Sequence, residues 1–585
     1  MGLKMERYNR NAEVVLVDSL SYSNIGIKPQ IGLLSLRQVL EKEYKVEIVN
    51  FDFLWANARL ELSQDLDENL RNCADYIMKF RAKVVGFYTI CDSYPMSVLL
   101  AKHLKERNKN VIILFGGPQA SLTAVGSLKS FFFVDYICIG EGERVINSLI
   151  KAIIEGKFHE VKKIPNLAYR DRGEIKCNPL SPTITSQELS RYRVTNYQPF
   201  EKCFKDSISI EVGRGCPFSC TFCSTSLFWG HCFRMKSIDE LIFEMKYFHE
   251  KFHVSEFKFE HDMFTQNREY IMSFCNRIIE EKLPYTWTCS SRIDVLDYEI
   301  IAFMSKAKCT KMYIGIESGS PFIQRVIHKN LDMEKIKQNI VHLRQSGIEV
   351  TASFIYGFPE EKVEHLKETL EMISYFYLHG IFNIQLHMFI PLPQTDELLK
   401  VEEKLVFDRN RIDLGIYHSA ITEKKVQELI SSYPKVFSQF YTFPSEVRDE
   451  NVSLGLFITY ISNSYKIFQC CIKYLIRRYG LYELYRKWYK DFEQLRLETT
   501  LNQESKIFED KYQRPSIFIY QCISNEIEGV ADREIKNYFD AESQIYIFSF
   551  SESIIKAFEF KFDYLEAINH NKYIEKKFFF IMRKN

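Results

Sequence analysis

Strand and helix patterns alternate through two long stretches of this chain, residues 13 to about 160 and 206 to about 400, and that alternation restricts the fold to parallel α/β layers. In the first stretch Glu13–Asp18, Val46–Phe51, Val84–Thr89, Val111–Phe115 and the end of Phe131–Ile139 read as buried strands. Helical patterns fall between them at Gly32–Glu41, in a polar run ending at Met78, and at Ser97–Arg107 and Val145–Glu155. This spacing predicts a doubly wound, Rossmann-like parallel sheet, whose ligands sit beyond the strand carboxyl ends. In the second stretch six strands are expected, at Ser207–Val212, Glu256–Glu260, Thr286–Ser290, Lys311–Ile316, Glu349–Ile355 and Asn383–Phe389. Helices at Ser237–Phe252 and Arg268–Lys282 are among those separating them. Six such units predict a partial (β/α)6 barrel with its chemistry at the strand carboxyl ends.

The first barrel strand runs directly into Gly213-Arg214-Gly215-Cys216-Pro217-Phe218-Ser219-Cys220-Thr221-Phe222-Cys223. Three cysteines spaced four and then three apart on a Gly-rich loop can converge on one metal site. Thiolate is a soft ligand that suits zinc or an iron–sulfur cluster. Zinc wants a fourth protein ligand in a closed site, and no second CxxC or HxxxH follows at that spacing, although His231 and Cys232 lie downstream. A three-thiolate [4Fe–4S] cluster accounts better for the odd count, because one iron stays open. Phe218 and Phe222 between the thiolates would keep water away.

This stretch resembles the CxxxCxxC signature of the radical S-adenosylmethionine (SAM) superfamily, including the aromatic residue before the third cysteine. The resemblance implies that Cys216, Cys220 and Cys223 hold the cluster and that the open iron chelates SAM. Reductive cleavage would then yield a 5′-deoxyadenosyl radical. It also implies SAM contacts at Phe222 and at polar strand ends: Asp262, Ser291, Arg292, Glu317, Ser318 and Gly357. Arg292 would pair with the SAM carboxylate, Ser291 reach the ribose and Gly357 permit close approach to adenine. Two departures stand out: His261 occupies one position of an acidic pair common in relatives, and Gln394 replaces the glycine of a common Pro-Gly-Thr.

The strand ends of the first stretch carry Tyr88-Thr89, Gly116-Gly117-Pro118-Gln119-Ala120-Ser121 and Gly140-Glu141-Gly142-Glu143. None is a GxGxxG fingerprint, so a nicotinamide or flavin dinucleotide is disfavoured. Together these loops look like the cobalamin-binding domain that precedes many radical SAM barrels. The resemblance implies cobalamin contacts at Thr89, Gly116, Gly117, Pro118, Gln119, Ser121, Gly140, Glu141 and Gly142. The Asp-x-His-x-x-Gly element is absent and His103 falls mid-helix, so cobalamin is expected without a protein histidine ligand.

The remaining expectations are coarser. Residues 1–160 are read as the cobalamin domain, 161–205 as a linker punctuated by prolines with a turn at Asp171–Glu174, 206–400 as the barrel, and 401–585 as a mostly helical α/β region that serves as a substrate-binding module or a cap. Strand-like runs there are Ile517–Ile523, Gln544–Phe550 and Lys577–Met582, and a helical pattern spans Ser553–Ile568. The aromatics of 460–493 recur at helical spacing and read as core. A net charge of +1 argues against nucleic acid, and no apolar run reaches a membrane span. Fifteen cysteines in a large chain opening Met-Gly-Leu-Lys fit a reducing cytoplasm better than a disulfide framework. The expected partners are a peptide or small-molecule substrate and an external electron donor such as flavodoxin or ferredoxin. The function implied by the resemblance is C-methylation of an unactivated carbon, with rearrangement, ring contraction or cyclisation as the alternative.

Overall fold

Five of the runs expected as strands lie side by side in a parallel sheet: β1 (Val14–Asp18), β2 (Val46–Asn50), β3 (Val84–Tyr88), β4 (Ile112–Gly116) and β5 (Tyr136–Cys138), in the order β2-β1-β3-β4-β5. In this computed structural model, residues 11–22, 29–204, 207–408, 423–462 and 469–490 are described, with three further strands near the carboxyl end. β1 is buried along its whole length, as parallel strands covered by helices should be. The helices Ile31–Leu40, Leu66–Met78, Tyr94–Arg107 and Ile146–Ile154 supply the cover through Leu33, Leu70, Leu104 and Leu149, all buried. β2 stops one residue short of the expected Phe51. There the Asn50 side chain accepts the backbone N–H of Phe53 (2.7 Å) and starts a short helix, Phe51–Ala56.

The segment read as a linker contributes to this sheet. β6 (Leu167–Asp171) pairs antiparallel with β5, and β7 (Glu174–Cys177) pairs antiparallel with β6. The hairpin closes through Arg172 and Gly173, both at positive φ.

The second sheet has the order β15-β14-β13-β12-β11-β8. Its strands are β8 (Ser207–Glu211), β11 (Glu256–Glu260), β12 (Thr286–Ser291), β13 (Cys309–Glu317), β14 (Glu349–Tyr356) and β15 (Ile384–Met388), and β9 (Gly213–Arg214) and β10 (Arg234–Met235) form a separate two-residue ribbon. Registers from β8 through β14 are parallel, so the partial barrel is built from adjacent strand–helix units. Along β8, Ile208 and Ile210 are buried while Ser209 and Glu211 face a cavity, the period-two alternation of a strand with one wet side. Behind the sheet, Trp287 packs against Phe259, Phe264 and Phe274, and its indole N–H donates to the Ala307 carbonyl (2.7 Å). Ser237 and Asn267 cap the following helices, Ile238–Phe252 and Arg268–Glu280, by accepting backbone N–H groups.

The chain divides into two compact units, Met1–Lys362 with His387–Val452, and Val363–Leu386 with Ser453–Asn585. The first therefore includes part of the region expected to be a separate carboxyl-terminal module. Residues 423–452 pack on the first sheet's helices: Phe437 meets Tyr94 and Phe131, and the Gln119 amide donates to the Val436 carbonyl (3.0 Å). In the second unit the helices Val363–Leu378, Leu454–Ser462 and Gln469–Tyr479 bury apolar faces, and Phe457, Tyr485 and Trp488 pack together as core aromatics. Strands Tyr538–Asp540, Ile545–Ser551 and Lys577–Arg583 make an antiparallel sheet, matching two of the three expected runs. Ile517–Ile523 and Ser553–Ile568 lie outside the described residues. Among the described residues, no helix is long and apolar enough to cross a membrane.

Candidate active site

The carboxyl ends of both sheets open onto one cavity of about 830 Å³. From the first sheet it is lined by Gly116, Gly117, Pro118, Gly140, Glu141 and Gly142, and from the second by the cysteine loop, Asp262, Ser291, Arg292 and Glu317. All three loop thiols reach its wall and are partly exposed there.

Local chemistry fixes the cysteine loop. Gly215 sits at φ +83°, and a Cβ there would overlap the carbonyl oxygen of Cys232. Thr221 is tied at both ends, its N–H donating to the Ile327 carbonyl (3.2 Å) and its hydroxyl to Glu397 (2.6 Å). Phe222 lines the cavity and packs edge-on against Phe358, in a core cluster with Ile323 and Phe389. Burial pushes the Cys216 thiol up to about 11. Burial also raises Cys220, opposed by the nearby cations Lys329 and Arg292. One Arg292 nitrogen lies 3.8 Å from the Cys220 sulfur, and the guanidinium covers the Phe218 ring at 3.8 Å while also bonding Asp294 and the Lys329 carbonyl. Cysteines this buried ligate only by losing their protons to a metal, and the two cations favour an anionic assembly. Among the described residues no three His, Cys, Asp or Glu side chains converge on a single-ion site. A cluster would be compatible with that, because its three thiolate ligands need not converge on one ion.

The other barrel-end residues divide into two groups. Asp262 reaches the cavity and accepts a hydrogen bond from Trp229, and burial raises its carboxyl above the usual range. His261 also lines the cavity, but its Nδ1 accepts the Met263 N–H (2.7 Å), and burial pushes the ring down to about 3, so it is neutral. The Ser291 hydroxyl is shared with Thr265, and Glu317, at φ +66°, pairs with Lys329 (2.6 Å). Ser318 and Gly357 are not in the cavity wall. The Ser318 hydroxyl accepts the Ser320 N–H, and a Cβ on Gly357 would meet the Arg448 side chain at 2.8 Å, so both shape loops behind the wall.

Three residues expected to touch cobalamin also fall behind the wall. Thr89 donates to the Gly116 carbonyl (2.9 Å) and accepts from Ala120, Ser121 accepts the Gly140 N–H (3.0 Å), and Gln119 is bonded to Val436 and Gln439. They hold the loops whose glycines face the cavity. The first sheet and its helices also give the cavity apolar lining from Leu16, Leu33, Gly86, Leu114 and Ile146, and a Cβ on Gly86 would come within 3.1 Å of Leu16. A cavity of this size with that apolar lining suits a large ligand that has an apolar portion. His103 is not in the cavity wall and lies beside Asp67.

Residue-by-residue reading missed Arg214, Trp229, Tyr313 and Lys329, which also line the cavity. Arg214 had a signal: an arginine between two glycines, right after a buried strand, has few places to put its charge.

Fold and site together define a radical SAM barrel joined to a cobalamin-binding domain. Family models agree: residues 210–373 match the radical SAM superfamily and residues 26–150 the B12-binding domain. Over 348 residues the chain is 30% identical to an uncharacterized methyltransferase of Pyrococcus horikoshii, covering 59% of this chain and 72% of that one. It is 26% identical to an anaerobic magnesium-protoporphyrin IX monomethyl ester cyclase of Rubrivivax gelatinosus, over 53% of this chain and 57% of the relative, and so spans little more than half of that protein. A bacteriochlorophyllide d C-12(1)-methyltransferase of Chlorobaculum tepidum is 25% identical, with 58% and 70% covered. Among solved structures, the radical SAM methyltransferase TsrM from Kitasatospora setae, with cobalamin and a [4Fe–4S] cluster bound, has the same fold (TM-score 0.56, 15% identity, 67% of this chain and 78% of that one). So does the cobalamin-dependent radical enzyme OxsB (TM-score 0.53, 15% identity, 89% and 75%). The chain belongs to the cobalamin-binding radical SAM enzymes, and its cofactors are a [4Fe–4S] cluster, SAM and cobalamin.

Proposed function

We propose that this protein is a C-methyltransferase acting on an unactivated carbon of a small biosynthetic intermediate or a peptide. The observation that carries the reading is the single cavity onto which the cysteine loop and the Gly116–Pro118 and Gly140–Gly142 loops all open. When bound, the cluster with SAM supplies a carbon-centred radical and the corrinoid a transferable methyl group. Cys216, Cys220 and Cys223 would hold the cluster. Asp262, Ser291, Arg292 and Glu317 offer SAM its polar contacts, and Phe222 backs the loop. The glycines at 116, 117, 140 and 142, with Pro118 and Glu141, would face the corrinoid. The apolar lining residues, Leu33, Leu114 and Phe222 among them, would exclude water from the bound substrate and keep it oriented. The methyltransferase names of relatives from Pyrococcus and Chlorobaculum support methyl transfer.

A second reading, cyclisation or rearrangement without methyl transfer, is supported by the cyclase relatives. Product mass separates the two: methylation adds about 14 mass units, rearrangement none, and oxidative cyclisation removes two hydrogens. The test is anaerobic incubation with candidate substrates and methyl-deuterated SAM. Label in the product supports methylation, and an unlabelled product of altered structure overturns it. An external flavodoxin or ferredoxin would deliver the electrons, in a reducing, cytoplasmic setting.

A further inference from the structure

Arg214 is buried at the place where the two cofactor loops meet, two residues before Cys216. Its Nη1 donates to Glu141 (2.9 Å), its Nη2 to Glu143 (2.6 Å) and its Nε to Glu211 (2.8 Å). Glu141 and Glu143 belong to the loop after β5 in the cobalamin domain, whereas Glu211 ends the first barrel strand. Arg234 takes the other side of Glu141 (2.7 Å), and Trp229 lies 5.6 Å from the Arg214 guanidinium and 5.7 Å from that of Arg234. Ser35, on the first helix of the cobalamin domain, donates to Glu143 (2.8 Å).

An apolar contact would hold two domains together as well as these buried charges do, since desolvation offsets most of their attraction. What the charges add is direction: a forked guanidinium bonds its carboxylates at fixed angles. The cysteine loop cannot shift at Arg214 without pulling on Glu141 and Glu143, and a corrinoid held by Gly140–Gly142 would bear on that same loop. We infer that Arg214 and Glu143 are positioning residues that couple corrinoid binding to the geometry of the cluster loop. The inference rests on the assignment of the two cofactors and is independent of whether methyl is transferred. Coupling of this kind is reciprocal, so loading the cluster tightens corrinoid binding.

The experiment is equilibrium binding of hydroxocobalamin to the full chain under anaerobic conditions, before and after cluster reconstitution. The cluster should tighten binding by roughly fivefold or more in the wild type. Glu143→Ala should erase the dependence, and Glu143→Gln, which can still accept from Arg214 and Ser35, should restore most of it. Glu143→Ala leaves two carboxylates facing two guanidiniums, a neutral set that lets the variant fold. A role in stability alone would weaken binding equally with and without cluster in Glu143→Ala, and that result overturns the inference. So does a wild type whose affinity ignores the cluster. A protein that binds no corrinoid in either form fails differently, because it removes the cofactor assignment as well.

Discussion

Replacing Gly215 by alanine tests whether the cysteine loop is held by its backbone. The residue sits at φ +83°, which costs a residue with a Cβ about 1–2 kcal/mol. The added Cβ would also overlap the Cys232 carbonyl oxygen and lie 3.1 Å from the Trp229 Cβ. Crowding of that kind typically costs ~1–3 kcal/mol. Together these penalties reach about 2–5 kcal/mol, below the ~5–15 kcal/mol that holds a domain folded, so the loop should yield before the fold does. Gly173 provides the control: its φ is +88° but nothing lies within 4 Å of a Cβ, so Gly173→Ala carries the strain without the collision. The assay is iron and sulfide content after anaerobic reconstitution, the electron paramagnetic resonance signal of the reduced cluster, and thermal melting. Gly215→Ala should stay folded and lose most of its cluster, and Gly173→Ala should keep it. A full iron complement with an unchanged signal in Gly215→Ala would refute the reasoning.

Alanine at Cys216, Cys220 or Cys223 should each abolish reductive SAM cleavage, measured as 5′-deoxyadenosine; retained cleavage in any of them contradicts the ligand assignment. Lys329→Met should destabilise the protein by ~3–5 kcal/mol, because it leaves Glu317 buried beside Cys220 without its cation. The double variant Lys329→Met with Glu317→Gln should recover much of the lost melting temperature, and no recovery would show that the pair is not the cause. Burial pushes Glu361 up to about 7, partly opposed by the Gly357 and Phe358 N–H groups. Its folded-state pKa thus lies above the unfolded one, and the native state gives up stability as pH rises from about 4.5 to 7, by at most ~1.4 kcal/mol per pH unit. Melting curves should therefore show Glu361→Gln gaining on the wild type between pH 5 and pH 7, and a constant difference would contradict the shift.

The strand positions were legible because each short apolar run sits between turn residues, and in the barrel all six expected strands form within a few residues of their predicted ends. The cavity was legible for a related reason: a parallel sheet gathers its polar loops at one edge, so Asp262, Arg292 and Glu317 arrive together although they are distant in sequence. What could not be read was how each polar side chain is spent. Thr89 and Ser121 have the right chemistry for a ligand but satisfy the turn that carries them. Gln119 is bonded to Val436 and Gln439, partners that no local pattern links to it. Lys329 escaped notice because its partner, Glu317, lies on the far side of an intervening helix in sequence. Such pairings are decided by tertiary packing, which sequence periodicity does not encode.

The packing of residues 423–452 on the first sheet's helices has a consequence for synthesis on the ribosome. Tyr94, Gln119 and Phe131 emerge early, yet Tyr433, Val436 and Phe437, which cover them, follow some 300 residues later, roughly 15–60 s at ordinary elongation rates. Throughout that interval the nascent cobalamin domain carries an open aromatic face. Shielding of that face by a chaperone would protect the growing chain from aggregation until its own later segment arrives.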